Sequence, residues 1–392
     1  SQIKTTIYTD DNEWLDLTRH KKVKLKPWIR ADDLWSSMPQ KLRKLSVWMG
    51  LIRSESLYLP DENIMDHVFV FSAPDWPYFG DLRPVSEWEM LCLLQLAICH
   101  RKGIPFGILS TSSGPFLDKF RNTIRKPIFD KAEFWTFREP ITVELVSNLN
   151  LNANVEQHMG GDVVFAHPKR RMEEFLDSAS LEEFEQLLQL LKTKPFILVT
   201  VQADFKDYRP LYGSVVPFDS SSYVIKMAKL LQHVIDKTKC QLLITSHLYG
   251  DIEEQRLLRE IMSLTERQSE IRLLNPLYNA EAQMFLYHYA EFAISNRYHP
   301  LIFACKAECP FLCISHQFKH DGLLKLFGEP GVKVTSIDSS EKWIKAFDEN
   351  WTNKDNIKQQ ISERLPDVVK SSKQHLEILG KHIKQASLNR RN

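Results

Sequence analysis

A chain of 392 residues, 43% hydrophobic and 26% charged, has the size and composition of a globular protein with room for two cores, which excludes wholesale disorder. Lys plus Arg total 51 against 50 for Asp plus Glu, a formal net charge of +1, so the basic excess expected of a nucleic-acid-binding protein is missing. The longest apolar run, near Met90 to Cys99, is too short to span a bilayer and contains Gln95.

The first sixty residues hold several Trp and a basic run from His20 to Lys26, with no clear period. From His67 the pattern alternates strand and helix. A strand is expected over His67 to Ala73, a helix over Glu87 to Arg101, and a strand over Ile104 to Ser110. A helix from Phe116 to Ile128, a strand from Glu133 to Arg138, a helix from Pro140 to Leu149 and a strand from Gly161 to Phe165 follow. Ser180-Leu181-Glu182-Glu183 reads as a capping box opening a helix that ends near Lys192 and links two halves. The second alternation takes strand Pro195 to Gln202, helix 220–236, strand Gln241 to Ser246, helix Ile252 to Leu264, strand Ile271 to Leu274 and helix Ala280 to Tyr289. Strand Glu291 to Asn296, helix 300–307, strand Phe311 to Ser315 and strand Val332 to Ile337 complete it, and helices run from Glu341 to a basic tail.

Alternation with short connections implies mostly parallel sheets covered by helices. The expected fold is α/β: two Rossmann-like domains of glycosyltransferase-B type facing a central cleft, with C-terminal helices. Domain boundaries are expected at 1–178, a linker helix at 179–194, a second domain at 195–345, and helices with a tail at 346–392.

Candidate chemistry collects at strand ends. Ser112-Ser113-Gly114-Pro115-Phe116 joins a strand to a helix, where small residues leave backbone N–H groups available to an anion or a sugar hydroxyl. Arg138 ends a strand ahead of Pro140, and Asp162 follows a Gly-Gly pair. Arg297-Tyr298-His299 sits where a buried strand meets a helix opened by Pro300. In open α/β sheets ligands bind at that edge, and the pair joins a fixed cation to a group that moves protons near neutral pH. The next strand exits into a polar loop carrying Ser315, His316 and Lys319, which brings Lys319 toward His299, while Arg138 and Arg297 are expected to face each other across the cleft. Asp81, with Trp76 and Tyr78 in the aromatic loop before it, adds a polar group and rings able to stack on a sugar.

The cysteines (Cys92, Cys99, Cys240, Cys305, Cys309 and Cys313) fall mostly inside apolar elements, as reduced thiols do. Cys305, Cys309 and Cys313 lack a C-x-x-C pair and fall on different elements, so no metal is expected. Neither a G-x-x-x-x-G-K-[ST] loop nor a G-x-G-x-x-G fingerprint occurs, against a nucleoside triphosphatase or a common dehydrogenase. With no signal peptide, the expected location is cytoplasmic, at the inner face of a membrane if an anchor was trimmed ahead of Ser1. The basic run and tail read as solvated surface and leave peripheral membrane contact open.

Taken in order, these segments resemble the polysaccharide pyruvyl transferase family. The resemblance is carried by Gly114-Pro115-Phe116, by Arg138-Glu139-Pro140-Ile141-Thr142 for an Arg-Glu-x-x-Ser/Thr element, by Asp162, by Arg297-Tyr298-His299 for an Arg-x-His motif, and by Lys319. Gly322-Leu323-Leu324 and Leu326-Phe327-Gly328 also follow the family's pattern, over roughly residues 65–340. The chain departs from it in lacking an Asn-x-Gly-Asp loop in residues 1–60 and in carrying Ser72 to Asp81 in place of a glycine-rich loop. The resemblance implies phosphoenolpyruvate as donor and co-substrate, with no other cofactor. The acceptor it implies is a sugar diol on a glycan or lipid-linked oligosaccharide, and the product a cyclic pyruvate ketal with release of phosphate.

On that footing His299 is the acid/base candidate, with Arg138 and Lys319 beside it in the catalytic set. Arg297, Arg138, Lys319, Ser315 and His316 would bind the donor, and Asp81, Trp76, Ser113 and Gly114 would lie on the acceptor side. The alternative is a nucleotide-sugar-dependent glycosyltransferase of the same architecture, which calls for an acidic residue for the ribose near the last strands. Glu308 and Asp321 are the carboxylates nearby, and neither lies at a convincing strand end. A non-catalytic carbohydrate-binding paralogue is a further alternative, disfavoured by the survival of Arg138, Arg297, His299 and Lys319.

Overall fold

The structure, a computed structural model, describes residues 5–9, 23–27, 69–71, 87–176, 178–201, 207–208, 216–217, 219–245, 252–274 and 279–389. Asp81 and Trp76, the loop that holds them and the C-terminal basic tail lie outside these residues. The poorly periodic start contributes two short strands, β1 (Thr5–Thr9) and β2 (Val23–Pro27), paired in parallel.

The chain divides into two compact units. The first comprises Ser1–Phe137, Thr142–His158 and His375–Asn392; the second comprises Arg138–Ile141 and Met159–Gln374. In the first, β3 (Phe69–Phe71), β4 (Phe106–Thr111), β5 (Phe134–Phe137) and β6 (Glu156–Met159) lie side by side in that order, with β3–β4 and β4–β5 parallel. Helices α1 (Glu87–Arg101), α2 (Lys119–Phe129) and α3 (Pro140–Ser147) alternate with them. Every residue of β4 and β5 is buried, as expected for strands covered on both faces. Trp135 packs against Phe129 at 4.7 Å and Phe116 at 6.1 Å between ring centres, and its indole N–H donates to Thr111 Oγ1 at 3.0 Å.

The second unit is built on a six-stranded, all-parallel sheet. It contains β7 (Phe196–Thr200), β10 (Gln241–Thr245), β11 (Ile271–Leu273), β12 (Phe292–Ser295), β13 (Phe311–Ser315) and β14 (Val334–Thr335). A separate short antiparallel pair, β8 (Asp207–Tyr208) and β9 (Val216–Pro217), falls between β7 and β10 in sequence. The spatial order β11-β10-β7-β12-β13-β14 is the 3-2-1-4-5-6 arrangement of a Rossmann sheet, whose switch point lies between β7 and β12. Alternate residues feed two cores. Leu198, Ala293, Phe311 and Cys313 point into one, whereas Ile197, Val199, Ile294, Leu312 and Ile314 point into the other. The first is covered by α4 (Ser178–Leu191), α7 (Ala280–Leu286), α8 (Tyr298–Lys306) and α9 (Phe318–Leu326). The second is covered by α5 (Ser220–Thr238), α6 (Ile252–Ser263) and α10 (Ser340–Thr352). Helix α11 (Lys354–Asn389) closes the chain.

Several expectations are corrected. Residues 161–165 form no strand: the Asp162 carboxylate accepts from Val164 N at 3.0 Å and starts a 3-10 turn, Val163–Ala166, after β6 has already ended. The first-domain boundary expected at 178 does not hold, because Phe165 and Phe184 are buried in the second unit's core, Phe165 against Phe327 at 5.7 Å. The expected linker helix is a core helix on its Phe184, Leu188 and Leu191 face. Nor are the C-terminal helices an appendage, since Trp343, Phe347, Ile357 and Ile361 are among the most buried residues of this unit. Helix α2 begins at Lys119 rather than near Phe116, its amide ends capped by Asp118 through Arg121 N at 3.1 Å. Among the described residues no helix is long and apolar enough to cross a membrane.

The edge of the larger sheet is held by one amide. Asn350 of α10, 1% exposed, accepts from Val332 N at 2.7 Å and donates to Val332 O at 2.8 Å and Phe311 O at 3.1 Å. Removing it leaves buried backbone groups without partners, each costing about 1–3 kcal/mol. Asn350→Ala is therefore expected to lower the unfolding free energy by about 3 kcal/mol, measured by urea denaturation; a loss within 0.5 kcal/mol, about the scatter of surface changes, would contradict the assignment.

Candidate functional site

Strands β7, β12 and β13 run in parallel, so their carboxyl ends open on one edge of the second unit. The chain leaving β12 is Asn296-Arg297-Tyr298-His299, and the chain leaving β13 is His316-Gln317-Phe318-Lys319. The expected polar loop at Lys319 is absent: α9 begins at Phe318, which places Lys319 in its first turn. Ser315, 3% exposed, turns inward and donates to Gln317 O at 3.2 Å, fixing the exit from β13.

Tyr298 organises the cluster. The Arg138 guanidinium lies over its ring at 4.2 Å from the centroid, and the Lys319 ammonium at 5.8 Å. His299 and His320 meet the same ring edge-on at 5.8 and 6.1 Å. Arg138 is 2% exposed, and its Nη1 donates to Asp162 Oδ2 at 3.2 Å. His299 is half-buried, and Ser372 Oγ donates to the Asp162 carbonyl at 2.6 Å. Arg138 thus packs within the second unit, alongside Tyr298; it does not stand in a first domain opposite Arg297.

Arg297 marks the switch point. Its Nε donates to Val201 O, just past β7, at 3.1 Å, and its Nη2 to Glu254 Oε2 at 2.7 Å. Glu254 is fully buried, so the pair is a desolvated ion pair rather than a surface contact. Glu254 was not legible as a functional residue, although it shares a helical face with Leu257, Leu258 and Ile261, and a carboxylate on such a face calls for a cation. Glu139 is legible in the sequence only as part of the Arg-Glu element, without its packing partner. It is fully buried, and its carboxylate occupies the space a side chain would need at Gly322 in α9.

His316 is buried against His320, at 4.7 Å between rings. Burial above all, followed by electrostatic interaction with His320, Lys319 and Arg297, pushes its pKa well below the ordinary imidazole value. It therefore stays neutral at physiological pH, a hydrogen-bonding group in a field of cations. The arrangement offers fixed positive charge from Arg138 and Lys319, an accessible imidazole at His299 and a neutral one at His316, which suits recognition of a small polyanion together with a proton transfer.

The other candidates are not part of this cluster. Ser113 and Gly114 lie in the first unit and are buried. The amide of Ser113 is committed to Thr142 Oγ1 at 3.1 Å, and its hydroxyl to Thr111 Oγ1 at 3.1 Å. The loop is thus tied to α3 instead of presenting that N–H to a ligand, and Gly114, at φ +122°, packs directly on Leu145. Cys305, Cys309 and Cys313 are buried thiols whose pKa values burial raises far above the ordinary range. Among the described residues no group of three His, Cys, Asp or Glu side chains is arranged to hold a metal ion.

Comparison with known proteins identifies the lineage. The sequence model described as Polysaccharide pyruvyl transferase matches residues 4–317, and the chain belongs to that family. No curated protein sequence matches it. Among solved structures it is similar to MnaA of S. aureus in a co-structure with UDP, with a TM-score of 0.55 at 13% identity over 97% of this chain and 96% of that one. It is also similar to UDP-GlcNAc 2-epimerase from Neisseria meningitidis bound to UDP-GlcNAc, at 0.54, 12%, 96% and 99%. Anabaena Alr3699/HepE in complex with UDP gives 0.52, 12%, 96% and 91%. The likeness is one of fold, and the fold is the two-domain, Rossmann-like α/β architecture of glycosyltransferase-B type.

Glycine at 322 is explained by Glu139. In a helix interior alanine is ordinarily about 1 kcal/mol better than glycine, but a Cβ here would run into the Glu139 carboxylate. Gly322→Ala is expected to destabilise by about 1–3 kcal/mol in urea denaturation; a gain in stability would show that Glu139 is not seated against α9.

Proposed function

We propose that this member of the polysaccharide pyruvyl transferase family transfers the enolpyruvyl group of phosphoenolpyruvate to two hydroxyls of a glycan sugar, forming a cyclic ketal and releasing phosphate. The observation that carries the reading is the pair of cations on Tyr298: Arg138 and Lys319 share one aromatic ring at the carboxyl edge of a Rossmann sheet, beside the half-buried His299. Phosphoenolpyruvate presents a carboxylate and a phosphate on one small carbon frame, so its recognition calls for at least two fixed cations.

In the proposed reaction His299, as imidazolium, protonates the methylene carbon of the donor while the first acceptor hydroxyl adds to the neighbouring carbon. Positive character developing there is stabilised by the lone pairs of the donor's phosphate-ester oxygen and by its own adjacent carboxylate, while Arg138 and Lys319 hold the anionic groups in place and stabilise the departing phosphate. The second hydroxyl then displaces the phosphate. Of the two hydroxyl protons, one replaces the proton given up by His299 and the other leaves with phosphate, so the ketal forms with no redox change. The chain's groups suffice for these steps as acids, bases and charges, and phosphoenolpyruvate enters as co-substrate.

Ser315 and the neutral His316, both buried at the exit of β13, are proposed to support the donor site from beneath its cations. Arg297, already serving Val201 and Glu254, contributes its field and holds the switch point. The acceptor is proposed to be a glycan or lipid-linked oligosaccharide; of the residues expected on its side, Asp81 and Trp76 lie outside the described residues, and Ser113 and Gly114 are committed within their own unit. The nucleotide-sugar reading draws on the fold neighbours crystallised with UDP or UDP-GlcNAc. Against it, Glu254 is engaged by Arg297, and Asp321 is paired with Lys333 at 2.6 Å.

The reading is tested by phosphate release from phosphoenolpyruvate in the presence of defined galactosides, glucosides and N-acetylmannosaminides. With the productive acceptor, His299→Ala is expected to lower kcat by about 10²–10⁴-fold, the range of general acid–base catalysis, whereas Arg138→Ala should act chiefly through KM for phosphoenolpyruvate. Turnover by His299→Ala near the wild-type rate would remove the acid/base assignment.

A further inference from the structure

Helix α8 begins at Tyr298 and ends, nine residues later, at Lys306. Lys306 is 9% exposed, and its ammonium donates to Val164 O at 2.7 Å, to Phe165 O at 3.5 Å and to His167 O. An ammonium has three donors and no acceptor, and here all three are directed at the carbonyls of one short segment, the 3-10 turn Val163–Ala166 and its cap. That turn starts at Asp162, whose two carboxylate oxygens divide their work. One accepts from Val164 N inside the turn, and the other from Arg138.

The contacts form a closed circuit. Tyr298, at the start of α8, carries Arg138 on its ring; Arg138 is held by Asp162; Asp162 caps the turn; and the turn is bound by Lys306 at the end of the same helix. Burying a lysine is costly unless its charge is well solvated by the protein, and core packing alone would be served by an apolar side chain. We propose that Lys306 is a positioning residue for Arg138: by gripping the Asp162 turn it sets where the Arg138 guanidinium lies over Tyr298. The proposal rests on the assignment of Arg138 to the donor's anions.

The grip has a built-in sensitivity to alkali. His167, Lys169, Arg170, Glu281 and His288 surround the end of Lys306, with Glu281 paired to Arg170 at 2.8 Å and to His167 at 3.1 Å. Burial, aided by the charge of Lys169, lowers the pKa of Lys306 from the usual lysine value to about 8. As pH rises through that value the ammonium becomes an amine with two N–H donors facing three carbonyls, and the turn loosens.

Two measurements on the full chain test this: calorimetric affinity for phosphoenolpyruvate, and amide hydrogen exchange across residues 163–167. Lys306→Met is expected to weaken phosphoenolpyruvate binding about tenfold, the scale of effect produced by misplacing a binding group, and to speed exchange in the turn. Lys306→Arg keeps a multi-donor cation that does not titrate; it should retain most of the affinity and lose the weakening that the wild type shows above pH 8. Unchanged affinity in Lys306→Met would overturn the proposal. If that variant does not fold, an equally steep alkaline weakening in Lys306→Arg and wild type would overturn it. If the wild type binds no phosphoenolpyruvate, the donor assignment fails on its own account, and exchange then decides: equal protection of the turn in Lys306→Met and wild type would show that Lys306 grips nothing.

Discussion

The arrangement depends on a cation laid on an aromatic ring. Arg138 is buried at the end of β5, and a buried guanidinium without compensation would be strongly unfavourable. Two partners from other segments supply that compensation, the Tyr298 ring and the Asp162 carboxylate. A desolvated cation–π contact is worth about 2 kcal/mol or more, and the buried ion pair adds direction. Once Arg138 is placed in this way, its neighbour Glu139 is carried to α9, where Gly322 leaves room for it. The Arg-Glu dipeptide therefore serves one unit with both side chains, while Thr142, one helical turn on, anchors the Ser113 loop of the other.

Around that contact the electrostatics are graded. Arg297 is neutralised by a buried carboxylate, whereas Arg138 has a carboxylate and a ring, and Lys319 stands half-buried in the first turn of its helix. His316 is kept neutral by burial first, and then by the neighbouring His320, Lys319 and Arg297. A site in which every histidine were charged would repel its own arginines. One that holds a neutral imidazole beside fixed cations has positive potential for an anion and still retains a hydrogen-bonding group that does not compete for charge.

Much of the second unit was readable from residue order. Strands β7, β12 and β13 are short apolar runs that end in polar residues, and the parallel sheet they imply is present. Arg297, His299 and Lys319 were singled out because strand ends in such sheets face a ligand crevice, and all three do leave that edge. The turn at 161–165 was misread because Val163, Val164 and Phe165 have strand-like side chains, and a single capping aspartate outweighs that local preference. Helix α9 was missed because His316 to Asp321 is polar, although its buried face is Phe318, His320 and Leu323. The partners Glu254 and Asp162 depend on tertiary contact over long separations in sequence, which no local pattern encodes. The side of the chain to which Arg138 belongs was lost for the same reason.

The central claim is that this edge of the second unit is a phosphoenolpyruvate site. Thermal unfolding of the wild-type chain and of Arg138→Ala, each with phosphoenolpyruvate and with UDP-N-acetylglucosamine, tests it most directly. The account predicts that phosphoenolpyruvate raises the Tm of the wild type and loses that effect in Arg138→Ala. Stabilisation by UDP-N-acetylglucosamine alone, unaltered by the substitution, would contradict it.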